Sequence, residues 1–188
     1  MDGPVRELLE RIAPVADLSA PDLERIGDAL LDLARDHDYL TGRIARIRDV
    51  SGQDRLHVPD DGPRLMLVHR NDGEMSPVHD HGVWVALAPV VGIETHRRYR
   101  ASPTDRTRLE LAEEEALGPV TCLTLMPPDD IHDHGHLTGR GDAAYVLILL
   151  GDDPFARRRT EWDLASGRWR MLEAGDRGRW LASMPMPT

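Results

Sequence analysis

A mainly β fold, a sandwich or barrel of the jelly-roll kind behind a short helical lead, is what the sequence predicts, and three observations predict it. Helical periodicity is confined to the first fifty residues. Beyond them, short apolar runs alternate with Gly, Pro, Asp and Asn. Two histidine clusters, His79-Asp80-His81 and His132-Asp133-His134-Gly135-His136, fall within the second part.

The helical lead divides into three. Val5, Leu8, Leu9 and Ile12 mark a short first helix. Leu23, Ile26, Leu30, Leu33 and Ala34 recur at helical spacing, with Ser19 as the expected N-cap, Pro21 near the first turn and Asp22 and Glu24 as early acids. A third helix is expected from about 38 to 46. Residues 1–48 thus read as a helical cover packed on the body of the chain. Strands are expected at 65–69, 83–91, 94–100, 108–111, 120–125, 143–150, 161–164 and 169–172, and turn residues between them suit a jelly roll. Glu113-Glu114-Glu115 reads as a solvated turn, and the closing residues 184–188 as a loosely held end.

Composition excludes several functions. The 188 residues suffice for one domain with a real core. No apolar run approaches the roughly 20 residues that span a bilayer, and the early acids do not resemble a signal peptide, so a cytoplasmic protein without membrane contact is expected. A net charge of -10 disfavours nucleic acid as a partner. Cys122 is the lone cysteine, which rules out an internal disulfide or a cysteine-ligated zinc cluster. All 23 basic residues are arginine, so lysine-dependent covalent chemistry is closed.

Histidines at i and i+2 on a strand share a face, so His79 and His81 are placed to chelate one ion, and His132 is the natural third ligand. Imidazole suits iron, zinc, copper and nickel. Asp80 would point away and tie down a turn or an arginine. His134 and His136 share the strand face of His132, as alternative ligands or as supports beside the ligands. His96 lies on the strand after the first cluster and is expected to line the pocket or the surface.

These residues carry a resemblance. The run from Leu65 through Gly73-Glu74-Met75-Ser76-Pro77-Val78-His79-Asp80-His81, then Gly82-Val83-Trp84, resembles the passage into the first two histidines of the cysteine dioxygenase-like branch of the cupin superfamily, the thiol dioxygenases. Gly92, Glu94 and Tyr99 match that branch's next strand, and Asp130-Ile131-His132 resembles the segment carrying its third histidine. The likeness covers roughly residues 50 to 165. It implies a cupin double-stranded β-helix over 49–182 with N-terminal helices, and an Fe(II) site at His79, His81 and His132, though Zn, Ni, Mn or Cu fit the same ligand types. It implies O2 and a small thiol as reactants and a sulfinate as product. A monomer or homodimer is expected. Arg55 stands where the branch has its carboxylate-anchoring arginine, Trp84 falls among the substrate-binding residues, and Tyr99 joins His96, His134 and His136 around the ligands.

The chain departs from the pattern in three places. A general cupin has a glutamate soon after its histidine pair, where this chain has Val85 and Ala86, which favours a site of three histidines. The crosslinked cysteine of the animal enzymes is absent, since its place is Ala86. The tyrosine and histidine of the branch's later strand fall on Leu150 and Ile148, so the inward face reads Val146, Ile148 and Leu150, with Tyr145 turned away. Ile148 and Leu150 therefore offer an apolar wall, suited to a substrate more apolar than cysteine. Two other readings stay open: a cupin metalloenzyme of different chemistry (a carbon-carbon dioxygenase, lyase or isomerase) and a non-catalytic metal-dependent module that binds a small ligand.

Overall fold

The computed structural model describes residues 1–48, 52–102, 104–105 and 108–175. The expected end of the barrel at 182 and the loosely held 184–188 lie outside them. Three helices lead: α1 (Gly3–Ile12), α2 (Leu23–Ala34) and α3 (His37–Ile47). Twelve strands follow: β1 (Gln53–His57), β2 (Arg64–Asn71), β3 (Glu74–Met75), β4 (Val78–His79), β5 (Val85–Val91), β6 (Glu94–Ala101), β7 (Leu109–Leu117), β8 (Leu123–Leu125), β9 (His132–His136), β10 (Ala143–Leu150), β11 (Arg159–Asp163) and β12 (Arg168–Leu172).

Two of the helices, α2 and α3, start where a carboxylate can take an orphan N–H. Asp22 caps α2 through the Arg25 N–H at 3.2 Å, and Asp36 caps α3 through that of Tyr39 at 3.0 Å. Ser19 is therefore not the cap that its position in the sequence suggests. Its N–H and hydroxyl are both engaged by Asp17 Oδ1, which closes a turn ahead of the helix.

The strands form two antiparallel sheets, of five strands in the order β1-β2-β10-β5-β8 and of seven in the order β12-β11-β4-β9-β6-β7, with β3 paired to β9. From β8 onward each successive strand to β11 changes sheet, the winding of a double-stranded β-helix. The fold class expected from the sequence is the one observed. Residues of the five-stranded sheet alternate between two cores. Leu65, Leu67, Trp84, Ala86, Leu147 and Leu149 pack with Ile26, Leu30 and Leu33 of α2 in one core. Val68, Val85, Leu87, Val146, Ile148 and Leu150 form the other cluster, on the inner face. Burying each such side chain contributes on the order of 1.5–3 kcal/mol.

Two strand expectations are corrected by the structure. Glu113, Glu114 and Glu115 lie within β7 rather than in a turn, facing Arg98, Arg97 and His96 in register. The strand is acidic because its partner is rich in arginine, and Arg98 pairs with Glu113. As the outermost strand of its sheet, β7 also gains from charge that discourages pairing with another chain. The region 120–125 contributes only Leu123–Leu125, because Thr121 turns back onto the Gly118 carbonyl. Near the end of β9, Gly135 is required by close approach: a Cβ there would stand 2.0 Å from the Glu74 carbonyl oxygen of β3.

Candidate metal centre

The three expected ligands are brought together by strand pairing. His79 ends β4 and stands directly opposite His132, the first residue of β9. His81 follows in a turn that is fixed on both sides. Asp80 exchanges two bonds with Thr160 of β11, its N–H donating to the Thr160 carbonyl (3.1 Å) and its carboxylate accepting the Thr160 N–H (2.7 Å). Asp80 thus ties down a turn, as its place between two ligands suggests. The donor nitrogens of His79, His81 and His132 lie within 4.8 Å of one another, and all three residues are buried.

Tautomers follow from the partners. A carbonyl oxygen only accepts, so His79 Nδ1 donates to Pro77 (2.8 Å) and His132 Nδ1 donates to Asp130 (2.7 Å). The lone pair of each ring then lies on Nε2. For His132 that atom is buried without a hydrogen-bond partner. Burial is the first cause that drives His79 and His81 well below the ordinary histidine range, with neighbouring imidazoles adding to it. His132 is also lowered by burial, against the bond to Asp130. Three buried imidazoles with nitrogens this close fit a divalent metal ion, which binds only deprotonated ligands. Glu161 stands opposite His79 in register, but its Oε2 takes Arg170 Nε (2.8 Å) and Nη2 (2.5 Å), and no carboxylate belongs to the donor group among the described residues.

The supporting histidines separate by their partners. His134 gives Nδ1 to Glu94 at 2.7 Å, and burial holds it well below its ordinary range. His136 has both ring nitrogens engaged, by the Ile93 carbonyl at 2.6 Å and by Asp142 at 2.8 Å. Four residues along β9 from His132, it stands about 13 Å away. His96 faces His134 in register and stacks on His132, with ring centroids 4.9 Å apart. Burial pushes His96 down to about 2. Tyr99 lies on the opposite face of the sheet, in a cluster with Val78, Ile131 and Trp162, where its hydroxyl donates to Asp133 (3.1 Å). It is held apart from the face of the three histidines and bonds to the Arg97–Asp133 pair (2.7 Å) instead.

The expected substrate residues fall into three places. Ile148 and Leu150 lie with Val146 on the inner face of β10, while Tyr145 joins the helix-side core, as the alternation implies. Arg55 pairs with Met66, whose side chain packs against the inner cluster, so Arg55 is on the inner side of the sheet at its exposed edge. Trp84 is fully buried in the helix-side core, sharing the alternation of Ala86 and Ala88 rather than that of Val85 and Leu87. That corrects its expected place at the substrate: the strand alternation turns the indole toward the helices.

Three polar residues around the site, Asp130, Glu94 and Arg70, are given no role by the sequence, although the first two fall within the motif. Asp130 holds both ends of the ligand set, since its Oδ2 accepts the N–H groups of His81 (2.9 Å) and Gly82 (3.1 Å) while its carbonyl orients His132. Glu94 is fully buried, and burial raises its carboxyl to about 7 against the opposing pull of Arg70. Arg70, on the inner side of β2, is lowered by its own burial. Among 33 acids, Asp130 has no mark beyond its place two residues before a histidine. Glu94 has a faint one, the i, i+2 spacing from His96. A groove of about 350 Å³ lies against the backs of the ligand turns, between Asp80, Asp130, Ile131, Trp162, Trp169 and Met171.

No protein-family model matches the sequence, and no curated protein does. Solved structures of similar form include an RmlC-like cupin family protein with a double-stranded β-helix fold from Methanocaldococcus jannaschii. It is 14% identical with a TM-score of 0.40, over 57% of this chain and 86% of that one. The protein TT1209 from Thermus thermophilus is 16% identical with a TM-score of 0.46, over 61% and 95%. An oxalate oxidase in complex with the substrate analogue glycolate is 14% identical with a TM-score of 0.39, over 48% and 42%.

Proposed function

We propose that the protein is a mononuclear non-haem Fe(II) dioxygenase that oxidises a small thiol, more apolar than cysteine, to its sulfinate. The observation that carries this reading is the donor set itself: three neutral, buried imidazoles with no carboxylate among them. The overall change is R–SH + O2 → R–SO2H, in which sulfur loses four electrons and dioxygen gains them. A ferrous ion at His79, His81 and His132 supplies the charge that favours thiolate over thiol and the redox activity that dioxygen chemistry needs.

The chain's own residues do the rest. The Pro77 and Asp130 carbonyls hold the ligand rings in one tautomer, and the Asp130 carboxylate keeps the His81 turn in place. Val146, Ile148 and Leu150 exclude water and accept the apolar body of the substrate. Arg55, at the exposed edge of the inner side, offers a planar guanidinium to a carboxylate on substrates that carry one. The reactants are O2 and a small molecule. Among the described residues no helix is long and apolar enough to cross a membrane. The protein acts as a monomer or homodimer in the cytoplasm.

One observation favours a second reading. The Glu94–His134 pair holds a proton across a 2.7 Å bond, with the carboxyl near 7, which suits the proton transfers of a lyase or isomerase. Oxygen uptake separates the two. Protein purified anaerobically and loaded with Fe(II) should consume O2 with an apolar thiol and form sulfinate in equal amount. Full iron occupancy with no uptake from any thiol in a panel would overturn the thiol reading in favour of proton-transfer chemistry.

A further inference from the structure

The inner face of the seven-stranded sheet carries an imidazole that no described residue satisfies. His96 is 0% exposed, and neither its Nδ1 nor its Nε2 has a hydrogen-bond partner among the described residues. Its neighbours differ: His134 uses Glu94, and His136 uses Ile93 and Asp142. A buried polar group without a partner loses its hydration with nothing in return, and such groups in native proteins point to a ligand, an ion or a water. The ring stacks on His132 with an interplanar angle of 20°, yet His96 is not in the group of three converging donors. It stands beside the metal ligands rather than among them. Across the barrel, β10 presents only Val146, Ile148 and Leu150, so it offers no side-chain hydrogen bond to anything held at the centre.

We propose that His96 contacts the substrate, donating a hydrogen bond to the anionic group held at the metal centre and doing from β6 what the aliphatic face of β10 cannot. The proposal rests on the metal-centre part of the function given above and is independent of whether the substrate is a thiol. It makes the interior two-sided: the polar head of the substrate lies against the seven-stranded sheet and its apolar body against the five-stranded one.

Cobalt(II) and azide test it without turnover. Co(II) is titrated into wild type, His96→Phe and His96→Gln, and azide is then added while the visible absorption of the bound cobalt is followed. Co(II) affinity should change by no more than about threefold, because His96 is not a ligand. Azide affinity should fall about tenfold or more in His96→Phe and recover in His96→Gln, which keeps an N–H donor. Equal azide affinity in wild type and His96→Phe would overturn the proposal. So would a loss of Co(II) affinity beyond about tenfold in both variants, which would make His96 a ligand. Where Phe disturbs the fold, His96→Leu replaces it, judged by its thermal melting. Failure of wild type to bind Co(II) would refute the metal centre itself, an outcome distinct from the other two.

Discussion

The five-stranded sheet turns Val146, Ile148 and Leu150 inward, whereas the seven-stranded sheet turns His79, His132, His134, His96 and Glu94 to its ligand face. The first arrangement stabilises the fold by burying aliphatic surface on both sides of one sheet. The second removes several polar groups from water and satisfies only some of them. The difference parts the two sheets: the apolar sheet packs against the helices, and the histidine sheet carries the three imidazoles that could hold an ion.

Breaking the apolar side should give the largest change in stability. Leu147→Ala, in the core between sheet and helices, should lower unfolding free energy by about 2–5 kcal/mol in urea denaturation. The folded fraction should keep its metal stoichiometry; loss of metal without loss of stability would contradict the division. Asp130→Ala should do the reverse. With the His81 turn released, metal affinity is expected to fall about 10–100-fold, read by competition with a chelator, while folding is affected less.

Acid should act on the histidine side. Folded His79, His81, His96 and His134 take up protons only below the ordinary value of 6.5, while the unfolded chain does so near it. The unfolded state then binds more protons below about 6.5, so stability falls as pH falls through that value. Glu94 runs the other way, since a carboxyl raised to about 7 binds its proton better when folded, and its contribution is lost as pH rises from about 4.5 to 7. The histidines outnumber it. The denaturation midpoint of the metal-free protein should therefore drop between pH 7 and pH 5; a flat profile would contradict the burial of the rings. The smallest effect is expected at the rim: Arg55→Gln should raise KM severalfold for thiols bearing a carboxylate and leave other thiols unchanged.

The parts of this contrast that are readable from sequence are those that repeat. The run Tyr145 to Leu150 shows a strand buried on both faces, because strand periodicity fixes it. The i, i+2 spacing of His79 and His81 points to one ion, yet only His79 lies in a strand, and it is the turn held by Asp80 that brings His81 to the same group. Trp84 departs from its expected place because motif position says nothing of which side of the strand its indole takes. Glu113 to Glu115 looks like a turn because a charged edge strand has no apolar face to reveal it. Asp130 and Glu94 show only as motif positions, without a role, because what sets them apart is burial and partners far along the chain, as the 49 residues from Asp130 to His81 show.

The central claim is that His79, His81 and His132 hold one divalent ion inside the barrel. Anaerobic Fe(II) titration of wild type, His79→Ala, His132→Ala and His136→Ala tests it most directly. One ion per chain in wild type and in His136→Ala, with binding lost in the other two, is the predicted result. Unchanged iron binding in His79→Ala and His132→Ala would contradict it.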